Sequence, residues 1–185
     1  DWLAELHPDC EIVLVPDELE DDSRAWAEFT VRTLGAAPDV VFSSEDYGPR
    51  FAALMGSRHV MVDRDRQAVP ISGTAVRAAP WRHLAMLEPC VRAHFVPRVV
   101  LIGAESTGKT TLTQALATHF ATSHVLEYGR EHWERKLAGH DLGSPPSWSR
   151  DEFVHIAAEQ ARREDAAART ADPVLFCDTT ALDTG

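Results

Sequence analysis

The sequence predicts an α/β protein with mostly parallel sheets, and three observations predict it. Short apolar runs recur, each closed by Pro, Gly, Ser or Asp and followed by residues at helical spacing. One such run, ending in Ile102, leads directly into Gly103-Ala104-Glu105-Ser106-Thr107-Gly108-Lys109-Thr110-Thr111, which fills the pattern G-x-x-x-x-G-K-[ST]. Leu112, Ala115, Leu116 and Phe120 then follow at helical spacing. Strand alternating with helix is the pattern of a parallel sheet, because a parallel pair needs a long crossover between its strands.

The elements follow in order. Glu11–Val15 is a strand candidate that Pro16 stops, and Glu18–Asp22 is an acidic loop. Ser23 is placed to cap a helix whose apolar face is Trp26, Phe29, Thr30, Thr33 and Leu34, ending at Gly35. Asp39–Ser43 is a second strand, and Gly48-Pro49 opens a helix that runs to Gly56. His59–Val62 is a third strand. Ala78–Pro97 lacks the Gly/Ser content of a flexible linker and reads as a packed helical connector. After it come strand 98–102, helix 109–120, strand 124–126 and a helix Arg130–Ala138 stopped by Gly139. Asp141–Trp148 is turn-rich, and Ser149 with Glu152 makes a capping box for an Ala-rich helix to about Thr170. Val174–Cys177 is the last strand.

The glycine-rich segment carries a specific chemistry. Without Cβ atoms at Gly103 and Gly108, backbone N–H groups can approach a polyphosphate. The next helix aims its unpaired N–H groups and positive dipole end at the same anion. Lys109 is then expected on the β- and γ-phosphates, and the Thr110 hydroxyl on Mg²⁺. A Gly-rich turn that binds nothing is the ordinary alternative, and the flanking strand and helix argue against it. The expected ligand is a nucleoside triphosphate, ATP, with Mg²⁺.

Asp178 ends an apolar strand after the loop, where open α/β sheets gather ligands, and is a second candidate Mg²⁺ ligand. A turn-forming Asp is its bland reading. Glu127-Tyr128-Gly129-Arg130-Glu131 follows a strand too, so Glu127, Tyr128 and Arg130 are candidate substrate contacts, with a helix-start charge cluster as the alternative. In the first half, Ser72, Gly73 and Thr74 form a candidate helix N-terminus with Arg77 one turn in, a second anion site by the same physics. An ordinary helix cap explains that stretch equally well.

Bulk properties exclude several classes. The chain has 185 residues, is 44% hydrophobic and 25% charged, and carries a net charge of −11, so it can bury a core. With no basic run, a nucleic-acid partner is not expected. No apolar run is long enough to span a membrane. Cys10, Cys90 and Cys177 are far apart and odd in number, which predicts neither zinc nor a disulfide framework and fits a cytoplasmic setting. The chain opens on Asp1-Trp2-Leu3 without Met and closes just after a strand, so a fragment of a longer protein is expected. Oligomeric state is left open.

These pieces, in this order, resemble the NadR-type bifunctional enzymes of NAD metabolism, which join a nicotinamide mononucleotide adenylyltransferase to a phosphate-loop ribosylnicotinamide kinase. The first half resembles the later part of the adenylyltransferase, in Phe42-Ser43-Ser44-Glu45-x-Tyr47-Gly48, Val62-Asp63-x-Asp65-Arg66 and Ile71-Ser72-Gly73-Thr74-x-x-Arg77. The second half is similar to the kinase, in the phosphate loop, Glu127-Tyr128-Gly129-Arg130-Glu131 and Asp178-Thr179. The resemblance implies a Rossmann-like nucleotidyltransferase part over residues 1–77, a connector over 78–97 and a P-loop kinase part over 98–185. It implies that Ser72, Gly73, Thr74 and Arg77 grip nucleotide phosphates. It also implies that Lys109, Asp178 and Glu127 carry phosphoryl transfer from ATP to ribosylnicotinamide, giving nicotinamide mononucleotide. The adenylyltransferase's Gly-rich loop with His-x-Gly-His is expected before residue 1, and the kinase's basic lid after residue 185. A different phosphate-loop transferase and a non-catalytic nucleotide sensor are the rival readings.

Overall fold

The computed structural model describes residues 2–16, 19, 22–139 and 147–180. Most of the acidic loop 18–22, residues 141–146 of the turn-rich stretch and both chain ends lie outside them. The described residues form two compact units, one within 9–75 and one combining 2–8 with 76–180.

In the smaller unit, helix α2 (Ser23–Leu34) begins one residue earlier than its expected cap implies. Asp22 is the N-cap, its carboxylate accepting the Arg24 N–H at 2.8 Å, and Ser23 is the first helical residue. Both residue types cap well, but the carboxylate adds a charge at the positive end of the helix dipole. Strand β1 (Val40–Ser43), helix α3 (Gly48–Met55) and strand β2 (Arg58–Met61) make a crossover. β1 and β2 pair in parallel, Val40 opposite Arg58 through Ser43 opposite Met61. α2 packs on α3, burying Ala27, Ala52 and Met55. Residues 11–16 form no strand, and Leu14 is 86% exposed. An apolar run becomes a strand only where a neighbouring backbone pairs its N–H and C=O groups, and none does so here among the described residues.

Helix α1 (Trp2–Leu6) belongs to the larger unit. Trp2 meets the rings of His94 and Phe95 at 5.3 and 5.9 Å, and Glu5 pairs with Arg169. After helix α4 (Gly73–Ala78), two 3₁₀ turns at 80–82 and 84–86 lead to helix α5 (Pro89–Phe95). Arg92 of α5 ties down the second turn by donating to the carbonyls of Leu84 and Leu87. The remaining elements are β3 (Arg98–Leu101), α6 (Lys109–Phe120), β4 (His124–Val125), α7 (Tyr128–Ala138), α8 (Arg150–Ala168) and β5 (Leu175–Asp178).

All three strands run parallel in the order β3-β5-β4. Every residue of β5 is buried, which explains why it reads as a continuous apolar run rather than an alternating one. Leu84, Val96, Val125, Ala168, Ala171, Leu175 and Cys177 form the core. Burial pushes the Cys177 thiol up to about 12, helped by the nearby Glu164 carboxylate. The expected capping box is present, with Ser149 Oγ accepting the Glu152 N–H and Glu152 accepting the Ser149 N–H. No helix among the described residues is long and apolar enough to cross a membrane.

Candidate functional site

Register places the site. Leu101 is paired with Asp178, so β3 and β5 release the chain at the same level of the sheet. From β3 the chain enters the phosphate loop, where Gly103, Ser106 and Gly108 take positive φ of 149°, 60° and 87°. Gly103 and Gly108 tolerate that conformation because they lack Cβ, and it turns successive N–H groups inward. Thr107 Oγ1 donates to the Ala104 carbonyl at 2.8 Å. Lys109 Nζ donates to the carbonyls of Gly103 and Ala104 at 2.9 and 3.0 Å. A 200 Å³ hollow is lined by residues 106–111, including Thr110 and Thr111, together with Arg130.

Thr110 and Asp178 meet beneath this loop. Thr110 Oγ1 donates to Asp178 Oδ2 at 2.5 Å, while the other carboxylate oxygen, Oδ1, is buried without a hydrogen-bond partner. Asp178 is 1% exposed, so an orphaned anionic oxygen there needs a cationic or donor partner. A hydroxyl and a carboxylate are hard oxygen ligands of the kind Mg²⁺ takes while keeping several waters. The residues therefore fit such an ion, although the described residues hold no cluster of three or more His, Cys, Asp or Glu side chains.

A larger cavity of about 850 Å³ opens from the loop. Gly103, Glu105, Ser106 and Lys109 of the loop line it together with Glu127, Gly129 and Arg130, and Arg130 lines the smaller hollow as well. Glu127 Oε2 lies 3.5 Å from Arg130 Nη2. Thr179, at φ 72°, closes the floor just past Asp178. The outer wall is aromatic. Trp133 stacks on Trp148 with ring centroids 4.9 Å apart, and Trp148 stacks on Phe153 at 5.4 Å. Lys136 fixes this wall, reaching Glu152 Oε1 at 2.5 Å, the Ser147 carbonyl at 2.5 Å and the face of Trp148 at 5.2 Å. The Lys136 ammonium, aided by the Ser149 N–H, lowers the Glu152 carboxyl to about 2.

Lys109, Glu127 and Arg130 thus share one cavity with the loop, and Asp178 lies directly under it. Tyr128, expected among the substrate contacts, does not line the cavity. It is 4% exposed, lies under the Arg163 guanidinium at 4.3 Å, and shares a hydrogen bond with His155 at 3.2 Å. Consecutive helical side chains diverge by about 100°, so when Gly129 and Arg130 face the cavity Tyr128 faces α8. Ser72 precedes α4, Gly73 and Thr74 open it and Arg77 lies in its last turn, with Ser72 Oγ accepting the Ala75 N–H at 3.1 Å. The neighbouring acidic and basic motif residues hold their own loop. Asp63 accepts the N–H groups of Gln67, Ala68 and Val69, bonds that keep its carboxyl below the usual range, and Arg66 donates to the Ile71 carbonyl.

Trp133, Trp148, Phe153 and Ile156 line the cavity too, and none of them belongs to a motif read from the sequence. Trp133 was within reach, since positions 129, 130 and 133 share a helical face. Trp148 and Phe153 join it only through tertiary packing, and no spacing signals that.

A family described as an AAA domain matches residues 98–185. The trifunctional NAD biosynthesis/regulator protein NadR of Escherichia coli (strain K12) is 34% identical over 146 residues, which is 78% of this chain and 35% of that protein. The NadR protein of Salmonella typhimurium is 33% identical over the same share. The chain spans about a third of the length of these curated relatives. A crystal structure of a NadR protein in complex with NR superposes with a TM-score of 0.71 at 22% identity, covering 99% of this chain and 54% of that one. Another, in complex with NAD and AMP-PNP, gives 0.69 at 23%, covering 99% and 55%. At these identities the superpositions establish the fold.

Proposed function

Since this chain is a relative of the NadR proteins of NAD biosynthesis, we propose that its larger unit transfers the γ-phosphoryl group of ATP to ribosylnicotinamide, giving nicotinamide mononucleotide. The observation that carries the reading is the single cavity that runs from the phosphate loop, past Glu127, to the stacked Trp133 and Trp148. Such a wall suits a flat, cationic pyridinium ring, which gains from stacking and from attraction to the indole faces. With the ring there, the ribose lies between the wall and the phosphate loop.

Each group then has a task. The loop N–H groups and Lys109 bind the β- and γ-phosphates, Lys109 exchanging its two carbonyl partners for phosphate oxygens. Thr110 and Asp178 would hold Mg²⁺, which when bound offsets phosphate charge. Glu127 lines the cavity, so it orients the 5′-hydroxyl and accepts its proton. Asp178, the other candidate base, is buried and already bonded to Thr110. As the acceptor oxygen bonds to the γ-phosphorus, the bond to the β–γ bridging oxygen breaks and ADP leaves. Arg130 lines both hollows and adds positive charge beside the group in transit. For the first half of the chain, the resemblance supports a phosphate grip by Ser72, Gly73, Thr74 and Arg77, in line with adenylylation to NAD in the longer relatives.

The test is transfer of labelled γ-phosphate from Mg·ATP to ribosylnicotinamide, with Lys109→Ala alongside. Product that depends on Lys109 is the expected result. ATP binding without transfer to any nucleoside would overturn it in favour of a nucleotide-sensing module.

A further inference from the structure

We propose that Gln160 is a positioning residue for the acceptor side of this site. Its side-chain amide holds the first N–H of α7 and thereby sets Glu127 at the cavity wall. The functional consequence rests on the kinase reading above. α8 buries one line of side chains at four-residue spacing, Ile156, Gln160, Glu164 and Ala168. Two of these are polar. Gln160 is 2% exposed and Glu164 is 6% exposed, so both must find partners inside the protein. Gln160 Oε1 accepts the Tyr128 N–H at 2.9 Å, and its Nε2 donates to Glu164 Oε1 at 3.2 Å. Glu164 Oε2 lies 3.6 Å from Arg98 Nη1. The direction of this chain is fixed by its ends. A backbone N–H only donates and an ionised carboxylate only accepts, so one orientation of the amide serves both.

α7 requires that support. Its first-turn N–H groups have no partners within the helix, and its N-cap residue, Glu127, makes no side-chain capping bond. The Glu127 carboxylate lines the cavity instead, beside Arg130. Gln160, reaching across from α8, takes the Tyr128 N–H, the first of these donors, and so ties down the backbone next to Glu127. At the far end of the chain Arg98 opens β3, the strand that feeds the phosphate loop. The relay therefore connects the foot of the phosphate-loop strand to the start of the acceptor helix.

The test uses the 185-residue chain. Gln160→Met keeps the shape of the side chain and removes both bonds. Acceptor kcat/KM should fall roughly tenfold to a hundredfold, the scale of a small misplacement of a reacting group, while Mg·ATP affinity is unchanged. Gln160→Glu alone sets two carboxylates against each other and should lose at least as much. Combining Gln160→Glu with Glu164→Gln restores an acceptor for the Tyr128 N–H and a donor–acceptor pair behind it, and should recover most of the loss. Parental acceptor kinetics in Gln160→Met overturn the proposal. So does a loss of ATP and acceptor affinity in parallel with the melting temperature. Hydrogen exchange at the Tyr128 amide separates this proposal from the kinase reading. Faster exchange in Gln160→Met, reversed in the double variant, supports the positioning role even where the parent phosphorylates no ribosylnicotinamide. Unchanged exchange overturns it.

Discussion

Thr110 and Asp178, 68 residues apart in sequence, are joined by a hydrogen bond of 2.5 Å at the end of the central strand. The second Asp178 oxygen is left buried and unpartnered. Asp178→Asn should keep the fold but remove the anionic ligand. Titration of ATP with and without Mg²⁺ should show that the metal no longer strengthens binding, and turnover should fall by about 100-fold or more. An undiminished Mg²⁺ response removes Asp178 from the metal assignment.

Lys109→Ala deletes the ammonium that now bridges the Gly103 and Ala104 carbonyls. Phosphoryl transfer should drop by at least ~100-fold, the scale of losing one preorganised electrostatic contact. A radiolabel transfer assay reads this directly, and circular dichroism confirms that the helix content is kept.

Trp133→Ala opens the aromatic wall without touching the phosphate loop. The KM for the acceptor should rise by about tenfold, the scale of one lost stacking contact, while ATP affinity stays at the parental value. Equal losses for both substrates would place the wall outside the acceptor site.

The Lys136–Glu152 pair makes a prediction about pH. Glu152 is held at about 2, below its ordinary 4.5, so its contribution to stability is present above pH 4.5 and is lost as the pH falls through about 2. Glu152→Gln should therefore unfold more readily than the parent at neutral pH, with the two converging near pH 2. Both partners are partly exposed, so added salt should narrow the difference. Thermal melts across pH and ionic strength measure both effects.

Gly48 in the smaller unit has no room for a side chain. A Cβ there would come within 1.8 Å of Ser43 Oγ and 2.6 Å of His59 Nε2, which are themselves hydrogen-bonded at 2.9 Å. Gly48→Ala should destabilise the unit by about 1–3 kcal/mol, as overpacking does. Adding Ser43→Ala should restore part of this, as read by denaturant unfolding.

Legibility in the sequence followed how local each cause was. The Gly103–Thr111 loop announces itself because glycine and lysine spacing is a property of contiguous residues, and the Ser149–Glu152 box spans a single turn. Asp178 was legible because strand ends converge on one edge of a parallel sheet. Tyr128 was misplaced because the pentapeptide Glu127–Glu131 gives no sign of which residues face α8. The run 11–15 has the composition of a strand, but pairing is decided by a neighbouring backbone that composition does not reveal. Gln160 sits in an Ala-rich helix as one polar residue among many, and only the neighbouring α7 gives it a partner.

The pairing of Leu101 with Asp178 also bears on which insertions and deletions the chain can absorb. Side chains on a strand alternate between faces, so removing one residue from 175–177 would turn the carboxylate to the opposite face of the sheet. The exposed stretch 36–37 between α2 and β1 is under no such parity rule, since residues gained or lost in a surface connection leave the strand register intact. Length variation should therefore accumulate in the connections and be absent from the four residues of β5. The phosphate loop and its aspartate are kept together by a count of odd and even positions as much as by any contact between them.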